Sequence, residues 1–373
     1  MSTENAISVQ NLTKQYDGFE LDNISFQIPT GSIVGFVGEN GAGKSTTIMS
    51  ILGLIPIDGG EIEVLDHKIN QVEGDGLWKE QIGVVFDECN FPTVLKVKEI
   101  RSVMNSIYHT WNDEKFMNYI AQFDIPLNKK IKDLSKGMKM KLSIAVALSH
   151  DSRLLILDEA TSGLDPVVRS EILDIFREYI EDEQHTVFIS SHITSDIEKI
   201  ADYVMLIHKG KLLFKENKDE LLYNYGIIKC SKEQAVMIPK DIIVGKEENA
   251  FGISVLVKDI NRMKEIVAFE EAGRISENSF AIERANIEDI LLYIVKSEEK
   301  MVNERMEERT MKGLLLKDLY ILKGFGKQYG MILAFFIVYS LCIKSFSFMV
   351  IYFAIAGGTL VMSTMSYDES SSF

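Results

Sequence analysis

The amino-acid sequence predicts an α/β fold with a helical insert, then a small α+β accessory domain, then a C-terminal transmembrane helical segment. Three observations carry this. Ile33-Val34-Gly35-Phe36-Val37 is an unbroken apolar run, the pattern of a strand buried on both faces of a parallel sheet. Further strands at Leu154–Leu157, Thr186–Ser190 and Tyr203–Ile207 alternate with helical stretches, which calls for helices on both faces of the sheet. Beyond residue 310 the charge thins and long apolar runs begin. A chain of 373 residues that is 46% hydrophobic and has only 6 Pro is neither disordered nor a single ordinary domain.

The elements follow in order. Ile24, Phe26 and Ile28 alternate as in a half-buried strand, and Pro29-Thr30-Gly31 turns the chain into the buried run at 33–37. A glycine-rich loop at 38–43 leads into a helix over Ser45–Leu54. Val94, Val97, Ile100, Val103 and Met104 have helical spacing, and a second helix starts near Asp113, so residues 93–123 form the helical insert. Asp165 can cap a helix that begins at Pro166, a favoured first-turn residue. Lys209-Gly210 turns into a strand at Leu212–Phe214. From residue 223 short strands (Ile227–Cys230, Ile253–Val257, Phe280–Ile282) surround helical pieces, and Ile287–Val295 closes this part as a helix. The expected domains are therefore 1–222, an accessory domain at 223–300, a charged linker at 301–310 and a membrane segment at 311–373.

Charge narrows the class. The net of −15 divides into +2 over residues 311–373, with five lysines against three acids, and −17 over the rest. Such a chain has no field for general nucleic-acid binding, so nucleic acid is excluded as a partner. Cys89, Cys230 and Cys342 have no metal or redox spacing and fit a reducing compartment. The start, Met1 to Asn5, has neither a basic flank nor an apolar core, so no signal peptide is expected.

The strongest chemical signal is Gly38-Glu39-Asn40-Gly41-Ala42-Gly43-Lys44-Ser45-Thr46, a P-loop between a strand and a helix. Gly38, Gly41 and Gly43 let backbone N–H groups turn around phosphate oxygens, and the following helix offers its positive end to the same anion. Lys44 can reach terminal phosphates and the Ser45 hydroxyl can bind Mg²⁺. Leu154-Leu155-Ile156-Leu157-Asp158-Glu159 ends a buried strand in adjacent carboxylates. One such acid can hold Mg²⁺ while its neighbour acts on an attacking water. No Asn-Lys-x-Asp run is present, which argues against guanine specificity.

The remaining motifs carry a resemblance. Leu134-Ser135-Lys136-Gly137-Met138 resembles the signature of the ABC transporter ATPases, Ser162-Gly163-Leu164-Asp165 their D-loop, and Ser190-Ser191-His192 their switch histidine. Tyr16 sits where the family stacks an aromatic on adenine. The resemblance spans residues 7–215 and implies a P-loop ABC ATPase domain. It implies that Gly38 to Thr46 wrap the phosphates of ATP, that Asp158 supports Mg²⁺, that Glu159 polarises the attacking water, and that His192 contacts the γ-phosphate. It also implies that Ser135 and Gly137 close on the ATP of a second copy, making a homodimer or a pair with a sister ATPase.

Two departures stand out. The common signature has a second glycine and a glutamine where this chain has Lys136 and Met138. The loop that usually offers glutamine to Mg²⁺ and the membrane domain reads Phe86-Asp87-Glu88, which assigns Asp87 to that position. An acid can still bind Mg²⁺ directly or through water. The variants are similar to those of bacterial exporters of the drug- and peptide-resistance type.

Residues 330–343 and 346–365 are uncharged runs of fourteen and twenty residues. The second would span roughly 30 Å as a helix, enough for a bilayer, and the first roughly 21 Å. Lys312, Lys317, Lys323 and Lys327 put the preceding flank on the cytoplasmic side. Residues 311–373 also resemble the beginning of an ABC exporter permease, starting at Met311. Two joined genes, the second cut short, would produce that pattern. The expected function is ATP hydrolysis that powers export, at the cytoplasmic face of the cell membrane, with a membrane permease subunit as partner. The competing readings are an ATP-dependent regulator or assembly switch without transport, and a defective ATPase–permease fusion product.

Overall fold

The computed structural model describes residues 5–69, 76–249, 252–273, 280–306, 311–314, 316–317 and 337–338. Residues 1–295 make one compact unit and residues 296–373 a second.

The first unit is organised by a six-stranded sheet. Its order is Lys211–Asn217, Tyr203–His208, Ile33–Val37, Thr186–Ser191, Leu154–Asp158, Ile82–Val85. The inner pairings are parallel, and only the outer hairpin of Tyr203–His208 with Lys211–Asn217 is antiparallel. The three central strands are buried at every residue, as their unbroken apolar runs require. Alternate residues along them feed two cores. Ile33, Val37, Leu155, Leu157, Val187 and Ile189 face the helices Lys136–Ala147, Pro166–Tyr179 and Thr194–Ile200. Val34, Phe36, Ile156 and Phe188 face the opposite side, under the helix Lys44–Ile51.

That second side is shared with another sheet. Phe19–Pro29, Asn5–Tyr16, Gly59–Val64 and His67–Lys68 form an antiparallel layer in that order, and Ile24, Phe26 and Ile28 enter the same core as Phe36 and Phe188. Their strict alternation is that of a strand with one wet face, which a sheet buried on both sides would not use. The helical insert is Val97–Ile107 followed by Asp113–Gln122, the latter capped by the Asn112 side chain at the Lys115 N–H.

Residues 226–284 fold as β-α-β-β-α-β. Gly226–Cys230, Ile243–Asn249, Gly252–Val257 and Ala281–Arg284 are its strands, with Lys232–Ala235 and Ile260–Gly273 as its helices. In chain order the strands stand second, third, first, fourth, all antiparallel, which is the ferredoxin-like arrangement. One face of this sheet buries Ile228, Val255 and Val257 in a small core of its own. The other buries Ile227 and Leu256 in the same cluster as Leu221, Ile287 and Ile290, so the core runs continuously from the six-stranded sheet into this part.

The expectation of a C-terminal transmembrane segment is corrected here. Among the described residues no helix is long and apolar enough to cross a membrane. Residues 287–306 are helical over a sufficient length, but that stretch carries Glu288, Asp289, Lys296, Glu298, Glu299, Lys300, Glu304 and Arg305. So many charges are incompatible with a lipid-spanning helix. Apart from 337–338, the runs 330–343 and 346–365 lie outside the described residues.

Candidate functional site

The carboxyl ends of the central strands converge on one locus. Ile33–Val37 leads into the loop at 38–43, and the helix Lys44–Ile51 begins with Gly43 as its N-cap and no side-chain cap. Its first N–H groups are therefore free of capping side chains and can face an anion. The loop glycines are required for different reasons. Gly41 and Gly43 lie in the left-handed region, at φ +80° and +112°. Gly38 does not, but a Cβ there would sit 2.4 Å from the Ile207 carbonyl oxygen. Glu39, Asn40 and Gly41 are exposed, Ala42 is buried, Ser45 is exposed and Thr46 is half-buried.

Lys44 is buried, 5% exposed, and its ammonium donates to the Gly38 carbonyl at 2.7 Å and the Glu39 carbonyl at 3.3 Å. It also lies 3.2 Å from Glu159 Oε1. That oxygen is buried and accepts no hydrogen bond from the described residues; the ammonium beside it is close but out of line. Glu159 Oε2 lies 2.5 Å from His192 Nδ1. Glu159 itself has φ +53°, a conformation that costs a residue with a Cβ about 1–2 kcal/mol. The strand Leu154–Asp158 ends abruptly at this turn, which swings the Glu159 side chain between Lys44 and His192.

Asp158 is buried, and its Oδ1 accepts a hydrogen bond from Ser190 Oγ at 2.5 Å. The helix Lys44–Ile51, which carries Ser45, packs against the strand that ends in Asp158. Tyr16 is half exposed at the end of a hairpin, paired with Phe19. Phe19 in turn approaches Gly43, where a Cβ would meet its ring at 3.0 Å. Asp87 is exposed, two residues beyond Val85, and Val85 pairs with Leu157 in the neighbouring strand. Asp87 thus shares the carboxyl end of the sheet with Asp158. Among the described residues no group of three or more His, Cys, Asp or Glu side chains gathers to hold a metal by themselves.

Ser135 and Gly137 lie elsewhere. Ser135 caps the helix Lys136–Ala147, its Oγ accepting from the Met138 N–H at 3.2 Å. Both residues line a cleft of about 390 Å³ with Asp124, Lys141, Gly163, Asp165 and Val168. The Lys136 ammonium lies over Gly163, 2.7 Å from where a Cβ would stand. The structure therefore joins Lys44, Asp158, Glu159 and His192 in one place and Ser135 with Gly137 in another. One contributor was given no role of its own from the sequence: Ser190 bridges Asp158 and Glu159. The motif that contains it pointed to His192, and the bridge depends on non-local packing.

Residues 21–162 match the ABC transporter family. The chain is 37% identical over 210 residues to the bacitracin transport ATP-binding protein BcrA of Bacillus licheniformis, covering 56% of this chain and 68% of that protein. It is 31% identical over 227 residues to the lantibiotic transport ATP-binding protein SrtF of Streptococcus pyogenes, covering 58% and 96%. Among solved structures it resembles the ATP-binding cassette MJ0796, described as a dimeric post-hydrolysis state bound to ADP and Pi. That match has a TM-score of 0.52 at 22% identity, over 57% of this chain and 98% of the other.

Proposed function

Because the chain belongs to the ABC transporter ATP-binding proteins, we propose that it is the ATP-hydrolysing subunit of a bacterial exporter of the drug- and peptide-resistance type. The observation that carries this is the contact chain Lys44–Glu159–His192 at the mouth of the P-loop. It sets a cation, a carboxylate and an imidazole around the place where a terminal phosphate would lie.

The residues fit a magnesium nucleotide. Glu159 Oε1 is a buried acceptor without a hydrogen bond from the described residues, Gly41 has open space around its Cα, and the Ser45 hydroxyl is exposed. Gly38, Glu39, Asn40, Gly41, Ala42, Gly43 and Thr46 wrap the phosphates, and Tyr16 stacks on adenine. Ser45, Asp158 and Asp87 would hold the metal. Held there, it would supply positive charge against the developing charge on the phosphate oxygens. Lys44 gives up its loop carbonyls and Glu159 in favour of phosphate oxygens, a charge-assisted exchange. Glu159 then accepts the proton of the attacking water, and His192 turns from Glu159 to the γ-phosphate.

Ser135 and Gly137 act on the nucleotide of a second ATPase subunit, either another copy or a sister chain. The separation of their cleft from the Lys44 locus supports that reading, as does the dimeric state of the MJ0796 cassette. The assembly works at the cytoplasmic side of the membrane with a permease partner, and the bacitracin and lantibiotic transport roles in the relatives' names support a transport role.

Phosphate release from Mg-ATP by the purified full chain tests the catalytic part. Detergent extraction from the native membrane tests the transporter part: the chain should co-purify with an integral membrane protein. A chain that hydrolyses ATP but is recovered without any membrane partner overturns the transporter reading.

A further inference from the structure

We propose that Ser190 is a positioning residue for the hydrolytic site, holding the metal-binding acid and the base-bearing turn with one hydroxyl. The inference rests on the ATPase reading above. Ser190 is fully buried in a strand whose preceding residues are Val187, Phe188 and Ile189. Parallel register sets it directly beside Asp158 on the adjacent strand, with both side chains on the same face. A hydroxyl has one proton and two lone pairs. The proton goes to Asp158 Oδ1 at 2.5 Å, and the oxygen accepts the Glu159 N–H at 3.1 Å. The Ser190 carbonyl also accepts from the same N–H, at 3.2 Å.

The consequence concerns geometry. Glu159 is held at φ +53°, and its carboxylate reaches Lys44 and His192 only from that turn. The Glu159 N–H is tied twice to Ser190, so the strained turn is anchored to the neighbouring strand rather than to its own. Asp158 is fixed in rotation by the same oxygen. Ser191 offers the internal contrast. Among the described residues its hydroxyl accepts only from the Ile193 N–H, at 2.9 Å, and shapes the loop that bears His192.

The test compares Ser190→Ala, Ser190→Thr and Ser190→Val in the full chain. Three readouts are taken: steady-state hydrolysis, thermal midpoint, and Mn²⁺ binding by electron paramagnetic resonance with a non-hydrolysable ATP analogue. With the hydroxyl gone, kcat should fall by about 10–100-fold and Mn²⁺ affinity by about tenfold, the usual cost of losing an outer partner of a metal ligand. KM for ATP should stay within about threefold, since the P-loop contacts are untouched. Threonine should restore both kcat and Mn²⁺ affinity. If Ser190→Ala does not fold, the threonine and valine variants decide, since they share a shape and differ by the hydroxyl. Equal kcat and equal Mn²⁺ affinity in that pair, or in Ser190→Ala and the parent, overturns the assignment. Failure of the ATPase reading is separable, because the parent chain would then release no phosphate at all.

Discussion

Two surfaces of this molecule carry its nucleotide motifs, and they are built in opposite ways. At the carboxyl end of the six-stranded sheet, charged groups crowd one another. Lys44 is buried against Glu159, Glu159 sits in a left-handed turn, and a buried carboxylate oxygen accepts no hydrogen bond from the described residues. At the cleft of Ser135 and Gly137 three polar side chains have local partners, and Asp124, at φ +53°, is the exception. Ser135 and Asp165 cap helices, and Lys141 pairs with Glu171 at 2.6 Å. What lacks an explanation there is a glycine. Among the described residues a Cβ at Gly137 would meet only Val168, at an ordinary 3.7 Å, so none of them demands its absence. Strain and unmet polar atoms mark a surface that waits for a ligand. A glycine without an internal reason marks one that waits for another molecule.

The largest effects should come from breaking the first surface. Glu159→Gln keeps the shape and removes the proposed base, so hydrolysis should fall by about 10²–10⁴-fold while ATP binding and closure of the dimer persist. Phosphate release and gel filtration with ATP check both parts, and a variant that hydrolyses at the parental rate refutes the assignment. Lys44→Ala should instead lose the nucleotide, weakening ATP binding by at least about 30-fold, the low end for truncating one partner of a buried charge pair. Equilibrium binding of labelled ATP reads it, and unchanged affinity would remove Lys44 from the phosphate site.

A glycine-to-alanine pair sharpens the contrast between the surfaces. Gly43→Ala must place a Cβ at φ +112°, 2.6 Å from Leu21 Cδ2, so it should lower stability by about 1–2 kcal/mol. Gly137→Ala lies in the first turn of a helix, where alanine is favoured by about 0.5–1 kcal/mol, so its thermal midpoint should hold or rise. Its hydrolysis should nevertheless fall on the order of tenfold, the effect of modest overpacking against a closing partner. A Gly137→Ala chain with full activity would leave that cleft without a role in the reaction.

The two surfaces were not equally legible in the sequence. The P-loop and the Asp158-Glu159 pair could be read because their chemistry is consecutive along the chain, and glycines at 41 and 43 have few other uses. Ser190 could not, since a serine in an apolar strand acquires its meaning only from a strand register across 32 residues. The order of the four-stranded sheet at 226–284 was hidden for the same reason, as strand order is a non-local property. The strands at Ile24–Ile28 were recognisable, but their membership of a separate antiparallel layer was carried only by alternation. At the C-terminus, length and lack of charge alone argued for membrane helices, and no described helix meets those two conditions together.

The smallest expected effect separates the surfaces by pH. His150 lies just beyond the helix that Ser135 begins, buried and stacked on Tyr108 of the helical insert at 4.2 Å. Its Nδ1 lies 2.7 Å from the Glu80 carbonyl oxygen, which can only accept, so Nδ1 carries the proton of a neutral ring. Burial pushes the imidazole pKa below its ordinary value, against the opposing pull of Glu80 and Asp151 and with help from Lys115. The unfolded chain therefore binds a proton that the folded chain resists. The stability is intact above the unfolded value near about 6.5 and is lost as the pH falls below it. Between pH 7.5 and 5.5 the thermal midpoint should fall, and His150→Gln should flatten that slope. Because the clamp ties the far end of the Ser135 helix and not the P-loop, acid should loosen the insert first. Hydrogen exchange should rise across 97–122 before it rises across 33–51, and simultaneous loss of protection in both would mean that the two surfaces open as one.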